Sequence, residues 1–279
     1  MKNNFFPKII SFVLFVALLA TGFHIAKHKP LWNDEVYSQI ASIEQMSVLG
    51  IISAKIPRTE GNNFPLFYLL QKGICRIGQY QLPDAWKGEG SLRDPYAQVF
   101  LRIMPVVCIS LSIVLIFFYF SSCYSWWSGW YGLILALSSF MIWAHWAESR
   151  PYALWVFLTT LQSLLFLSFL KNESSRKTIV RGLIFVHLLL SLTIIFGLAQ
   201  IVFVSLLLWL GGERQWKKYL LLTLLPIGLS LFYYANSKAN FKLFLPQNPL
   251  HLIELNVTKD QIIIFAIYFS FLVFYRILF

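Results

Sequence analysis

Charge is what this 279-residue chain has least of: only 13% of it is Asp, Glu, Lys or Arg, while 58% belongs to the apolar set AVILMFWYC and the mean hydropathy is +0.65. An ordinary soluble domain carries roughly 25% charged residues to cover its water-facing surface, so a soluble globule is excluded. The same hydrophobicity excludes a disordered chain. Cysteine is equally scarce. Cys75, Cys108 and Cys123 are three in number, unrelated in spacing and without a CxxC pair, which excludes a disulfide-stapled module or a zinc knuckle and leaves them as small apolar fillers. Acids number 12 against 23 Lys and Arg, a formal charge of +11. A nucleic-acid-binding domain would need that excess on a water-exposed face, so no nucleic acid partner is expected. Flexible linkers and internal repeats are lacking too, and residues 1–279 read as a single integral membrane domain of the all-α, polytopic class.

What the chain does have is long apolar runs. Ile9 to Ala26, preceded by Lys2 and Lys8, is close to the roughly 20 residues that span a bilayer and reads as an uncleaved anchor, because it is long for a signal-peptide core. Residues 27–96 form a long polar loop holding seven of the twelve acids. A loop this long is largely exempt from the charge rule that keeps Lys and Arg inside, so its basic residues do not forbid an outer location. Within it Ile40, Ile43, Met46, Val48, Leu49 and Ile51 recur at near-helical spacing and predict an interfacial helix, and Phe64 to Leu70 is an apolar patch too short to span.

Residues 97–279 hold the remaining spans: Val99 to Phe120, Tyr131 to Trp146, Tyr152 to Leu170, two short spans sharing Gly182 to Leu210 with a break at Gly197 and Gln200, then Tyr219 to Tyr234, and Ile262 to Phe279. The basic groups at Lys171 to Arg181 and at Arg214 to Lys218 then fall inside, giving about eight crossings with both termini inside.

Ionisable residues at the ends of spans are the informative ones, because a charge at mid-bilayer costs about 2.5–3.5 kcal/mol on insertion scales. Asp34 and Glu35 follow the first span, Arg102 opens the second, and Glu148 and Arg150 lie in the turn after the third. By parity all of them stand at one outer interface. A carboxylate can take a proton from a hydroxyl, and an arginine fork can hold a phosphate, so the set suits chemistry on a lipid phosphate. Read singly, each is also an ordinary polar group of a loop or a snorkelling side chain.

The runs Leu31-Trp32-Asn33-Asp34-Glu35-Val36-Tyr37, Phe64-Pro65-Leu66-Phe67-Tyr68-Leu69-Leu70, Phe100-Leu101-Arg102-Ile103-Met104-Pro105 and Ala147-Glu148-Ser149-Arg150-Pro151-Tyr152 stand in this order, and in that order they resemble the GT-C membrane glycosyltransferases of the protein O-mannosyltransferase and aminoarabinose transferase type. The resemblance covers residues 5–210. It implies a transferase that takes a sugar from a polyprenyl-phosphate donor to an acceptor hydroxyl on lipid, glycan or protein, at the outer side of a bacterial inner (plasma) membrane. It also implies Asp34 as the base, Glu35 as its support, and Arg102, Glu148, Arg150 and Tyr152 on the substrate side. Where relatives commonly carry Pro-Pro after a Lys or His, this chain has Asn63-Phe64-Pro65. Relatives are also commonly longer. A non-catalytic membrane subunit derived from such an enzyme and a lipid-phosphate transporter are the alternatives.

No cofactor is required by this reading, although His24 and His28, four apart on one helix face, have the spacing to clip a divalent metal with Asp34. His145, beside Trp146, reads as an interfacial belt residue, and His187 as a mid-span hydrogen-bonding group.

Overall fold

The computed structural model describes residues 5–55, 64–80, 95–171, 176–210 and 216–241, and among these residues the chain is helical without strands. It divides into two compact units, Met1–Ser237 and Lys238–Phe279, and the packing below belongs to the first. The helices are α1 (Phe5–His28), α2 (Asn33–Tyr37) running into a π-helical stretch (Ser38–Glu44), α3 (Val48–Ile52), α4 (Pro65–Ile77), α5 (Pro95–Leu101), α6 (Ile103–Cys123), α7 (Trp126–Leu137), α8 (Phe140–His145), α9 (Pro151–Lys171), α10 (Arg176–Ser191), α11 (Phe196–Leu210) and α12 (Trp216–Phe241).

Four helices among the described residues are long and apolar enough to cross a membrane: Phe6–His28, Ile103–Cys123, Pro151–Lys171 and Tyr219–Asn236. The chain is therefore a helical membrane protein, but four such helices stand where the apolar runs suggested eight crossings. The expected span from Ile262 to Phe279 lies outside the described residues.

The other differences come from breaks that leave apolar content unchanged. The expected span Val99 to Phe120 is divided at Arg102, which sits between α5 and α6 with φ −102° and ψ 9°. The expected span Tyr131 to Trp146 is two pieces, because the chain turns at Ser138 and Ser139; the Trp143 indole donates to the carbonyl of Leu137, so the orphan acceptor at the end of α7 is satisfied by a side chain. Between Gly182 and Leu210 there are indeed two helices. Their break falls at residues 192–195, just ahead of Gly197, and Gln200 lies within α11. With 16 and 15 residues α10 and α11 each rise roughly 24 Å or less, short of a hydrocarbon core of about 30 Å. The interfacial periodicity of residues 40–51 also resolves differently: Ile43 and Ile51 are buried in the core while Leu49 is exposed, since the π-helical stretch and α3 are separate pieces.

α6 is the centre of the bundle, packed by α1, α7 and α9. Small residues permit the approach. A methyl at Gly22 of α1 would lie 2.7 Å from both the Trp146 indole nitrogen and Val106, and one at Gly129 of α7 would lie 2.9 Å from the backbone carbonyl of Phe117. α9 holds α10 through a buried contact, Gln162 Nε2 donating to His187 Nε2 at 2.8 Å, which leaves His187 Nδ1 to meet the Tyr219 hydroxyl of α12 at 3.1 Å, and holds α11 through the half-buried Gln200 amide, which bonds Trp155 and Thr159.

Gly129→Ala should force α7 away from α6, because its methyl would overlap the Ser121 hydroxyl of α6 and, even with that side chain turned aside, would press on the Phe117 carbonyl at 2.9 Å. The expected cost is about 1–3 kcal/mol, read as a lower unfolding temperature of the purified protein in detergent, whereas Gly228→Ala, inside α12 with open space around it, should be neutral to slightly stabilising. Equal melting of the two variants would refute the close-packing account.

Candidate functional site

One end of the bundle gathers the C-terminus of α1, all of α2, the α5–α6 junction and the turn between α8 and α9. The gathering is done by Glu35 and Arg102, both fully buried. Glu35 is the third residue of α2, and its Oε2 accepts the backbone N–H of Trp32 at 2.9 Å, the reach-back half of a capping box. The same carboxylate takes Arg102 bidentately, Nη2 to Oε2 at 2.6 Å and Nε to Oε1 at 3.0 Å, and accepts the Ser149 N–H at 2.5 Å.

Arg102 has five N–H donors, and each is used. Besides Glu35 they meet the carbonyls of Ala26, Lys29 and Pro30, the orphan acceptors where α1 ends, at 3.1, 2.5 and 2.9 Å. A cation is favourable there, since the helix dipole puts negative charge at that terminus. Burial of the pair is tolerable because every polar group in it is satisfied. The expectation that Arg102 contacts a donor phosphate is corrected accordingly: with no exposure and no N–H left over, Arg102 serves as a positioning residue. Glu35 holds Arg102 and the Ser149 N–H.

Beside this buried pair lies a second, wetter one. Arg150 Nη1 donates to Asp34 Oδ2 at 3.1 Å, with the Asp34 side chain 52% exposed and that of Arg150 17%. Asp34 and Arg150 are 116 positions apart and belong to different helix ends, yet the tether from Glu35 to Ser149 places them opposite each other. Glu148 sits behind Arg150, its Oε1 3.9 Å from Arg150 Nε and its Oε2 2.6 Å from His145 Nδ1. The Tyr152 ring underlies both neighbours, its centroid 4.6 Å from the His145 ring and 5.3 Å from the Arg150 guanidinium carbon. The set is thus a contiguous row, Asp34, Arg150, Glu148 and His145, on an aromatic floor.

Three groups escaped the sequence reading. Lys29 donates to the Ala144 carbonyl at 3.2 Å and lies 5.7 Å over the Trp32 ring; partial burial lowers the pKa of its amine, against an opposing pull from Glu148 and with Arg102 adding to the lowering. Tyr68 of α4 is fully buried, which raises its phenol pKa, and the nearby Tyr152 phenol adds to the rise. Ser149 acts through its backbone alone, a role that no side-chain pattern encodes. His145, read as a belt residue, is the one whose position signalled most: three residues before Glu148 in the turn. His24 and His28, whose spacing could clip a metal, belong to no group of metal-ligating residues among those described. The His28 ring bonds the His24 carbonyl, and among the described residues no group of three or more His, Cys, Asp or Glu could hold a metal ion.

No family model matches the chain, and no curated protein and no solved structure matches it.

Breaking the buried pair should destabilise the whole end of the bundle. Glu35→Gln leaves an uncompensated buried guanidinium, and Arg102→Lys replaces a five-donor fork by three donors, so each is expected to cost about 3–5 kcal/mol. Thermal unfolding in detergent reads this directly. Wild-type melting of Arg102→Lys would show that the fork geometry is dispensable.

Proposed function

We propose that this chain is a membrane glycosyltransferase that moves a sugar from a polyprenyl-phosphate donor to an acceptor hydroxyl of a lipid, glycan or protein, at the outer face of the membrane. The observation that carries the reading is the pairing of half-exposed Asp34 with Arg150 at one end of the bundle, on a scaffold locked by Glu35 and Arg102. Two kinds of chemistry are needed for one displacement at the anomeric carbon, a base for the acceptor and a cation for the departing phosphate, and this pair supplies both.

In this scheme the acceptor oxygen attacks the anomeric carbon, its proton goes to Asp34, and the bond from that carbon to the phosphate oxygen breaks. Arg150 takes the phosphate, for which a planar guanidinium fork is well shaped. Tyr152 holds the fork from below, and Glu148 sets its Nε edge. The outer location is supported by charge: α9 runs away from the site to Lys171, and α10 begins with Arg176, Lys177 and Arg181, so the basic cluster lies beyond the far end of α9.

The test is binding and transfer of radiolabelled polyprenyl-phosphate sugar by purified protein. Asp34→Asn keeps the shape but removes the base, so transfer should fall about 10²–10⁴-fold while donor binding persists. Arg150→Ala should weaken donor binding by about 1.5–3 kcal/mol, the worth of a charge-assisted hydrogen bond. Undiminished transfer by Asp34→Asn would remove it from the base role. Absence of donor binding by the wild type would overturn the transferase and favour a non-catalytic membrane subunit.

A further inference from the structure

Asp34 and Arg150 leave half of the polar row unused. At its other end His145 is held by Glu148 through Nδ1 at 2.6 Å, with the His145 and Glu148 side chains 15% and 13% exposed. A carboxylate acceptor at Nδ1 fixes a proton on that nitrogen and directs Nε2 away from the carboxylate. The ring cannot swing freely, because it lies against Tyr152, and Tyr152 is also the surface on which Arg150 rests. His145 and the phosphate-binding candidate therefore share one floor and one carboxylate.

We propose that His145 is a second acid–base group of this site, donating a proton from Nε2 to the departing phosphate oxygen while Glu148 holds its Nδ1 edge. The proposal rests on the glycosyltransferase reading and adds the group that serves the leaving side. The acceptor oxygen bonds to the anomeric carbon; the bond from that carbon to the phosphate oxygen breaks and its electron pair goes to that oxygen. The acceptor proton passes to Asp34, the Nε2 proton passes to the phosphate oxygen, and water removes the first and restores the second.

The chemistry is matched. The donor is a phosphodiester, whereas the product is a monoester whose second ionisation lies near 6, in the range where histidine is the side chain that exchanges protons. A donor and acceptor of similar proton affinity make efficient transfer. The charged and titratable groups around His145 are compatible with it: Glu148 in the same turn; Tyr152 and, across its ring, Arg150; Lys29 from α1, bonded to the carbonyl of Ala144; Tyr68 of α4 beyond Tyr152; and Asp34 beyond Arg150.

The experiment is calorimetric binding of polyprenyl monophosphate to the full chain in two buffers of different ionisation enthalpy at neutral pH, beside the transfer assay. Wild type should take up protons from the buffer on binding. His145→Gln, which can still donate to Glu148, should bind without that uptake, keep donor affinity within about twofold, and lose about 10²-fold or more in kcat. Glu148→Gln, which leaves the ring in place, should reduce the uptake. A histidine that only props the turn would leave the uptake unchanged. Unchanged uptake in His145→Gln overturns the proposal, and so does a wild type that binds no monophosphate. Proton-linked monophosphate binding that depends on His145, in a protein that transfers no sugar, would sustain the phosphate-facing histidine while removing the transferase.

Discussion

Everything at the functional end of this bundle depends on the satisfaction of one buried charge. Arg102 would be intolerable among the apolar helices if any of its N–H groups were idle; because all five find acceptors, it instead fastens the end of α1, the first turn of α2 and the α5–α6 junction to one another. Glu35 extends the fastening to the turn before α9 by accepting the Ser149 N–H. The carboxylate and guanidinium next to these two in sequence, Asp34 and Arg150, inherit their positions from them. Their own contact is half in water and is worth little as a source of stability.

The deeper part of the bundle follows another rule. Lipid-facing helices gain nothing from hydrophobicity against one another, so their association falls to close contact and to interhelical hydrogen bonds. Gly22 and Gly129 provide the first, and Gln162, His187, Tyr219, Thr159 and Gln200 the second. The short helices α10 and α11 carry much of this polar traffic, which suits segments with too little length to be anchored by the bilayer alone.

Much of this was legible in the sequence, and the omissions have physical causes. Apolar runs located α1, α6, α9 and α12 because a long hydrophobic stretch has few alternatives in a membrane. Breaks were invisible where they replaced no apolar residue: Ser138 and Ser139 interrupt a run that continues as Phe140-Met141-Ile142-Trp143, and Thr193 is as ordinary in a helix as at its end. Parity of spans brought Asp34 and Arg150 to one side, and they meet, although the crossing count behind the parity was too high. Arg102 was misassigned because sequence records a charge but not its burial, and five acceptors drawn from backbone and Glu35 leave no sequence trace. The contact between His145 and Glu148, by contrast, had a trace in the sequence, since the two stand three residues apart.

Chain order also imposes an order of assembly. Glu35 precedes Arg102 by 67 residues and Ser149 by 114. During synthesis the carboxylate of α2 is therefore made, with α1, before the guanidinium that it holds. A nascent fragment ending before residue 102 lacks the bidentate partner of Glu35, and one ending before residue 149 has the ion pair but not the peptide that orients Arg150. The site is completed only when the ribosome has passed the start of α9.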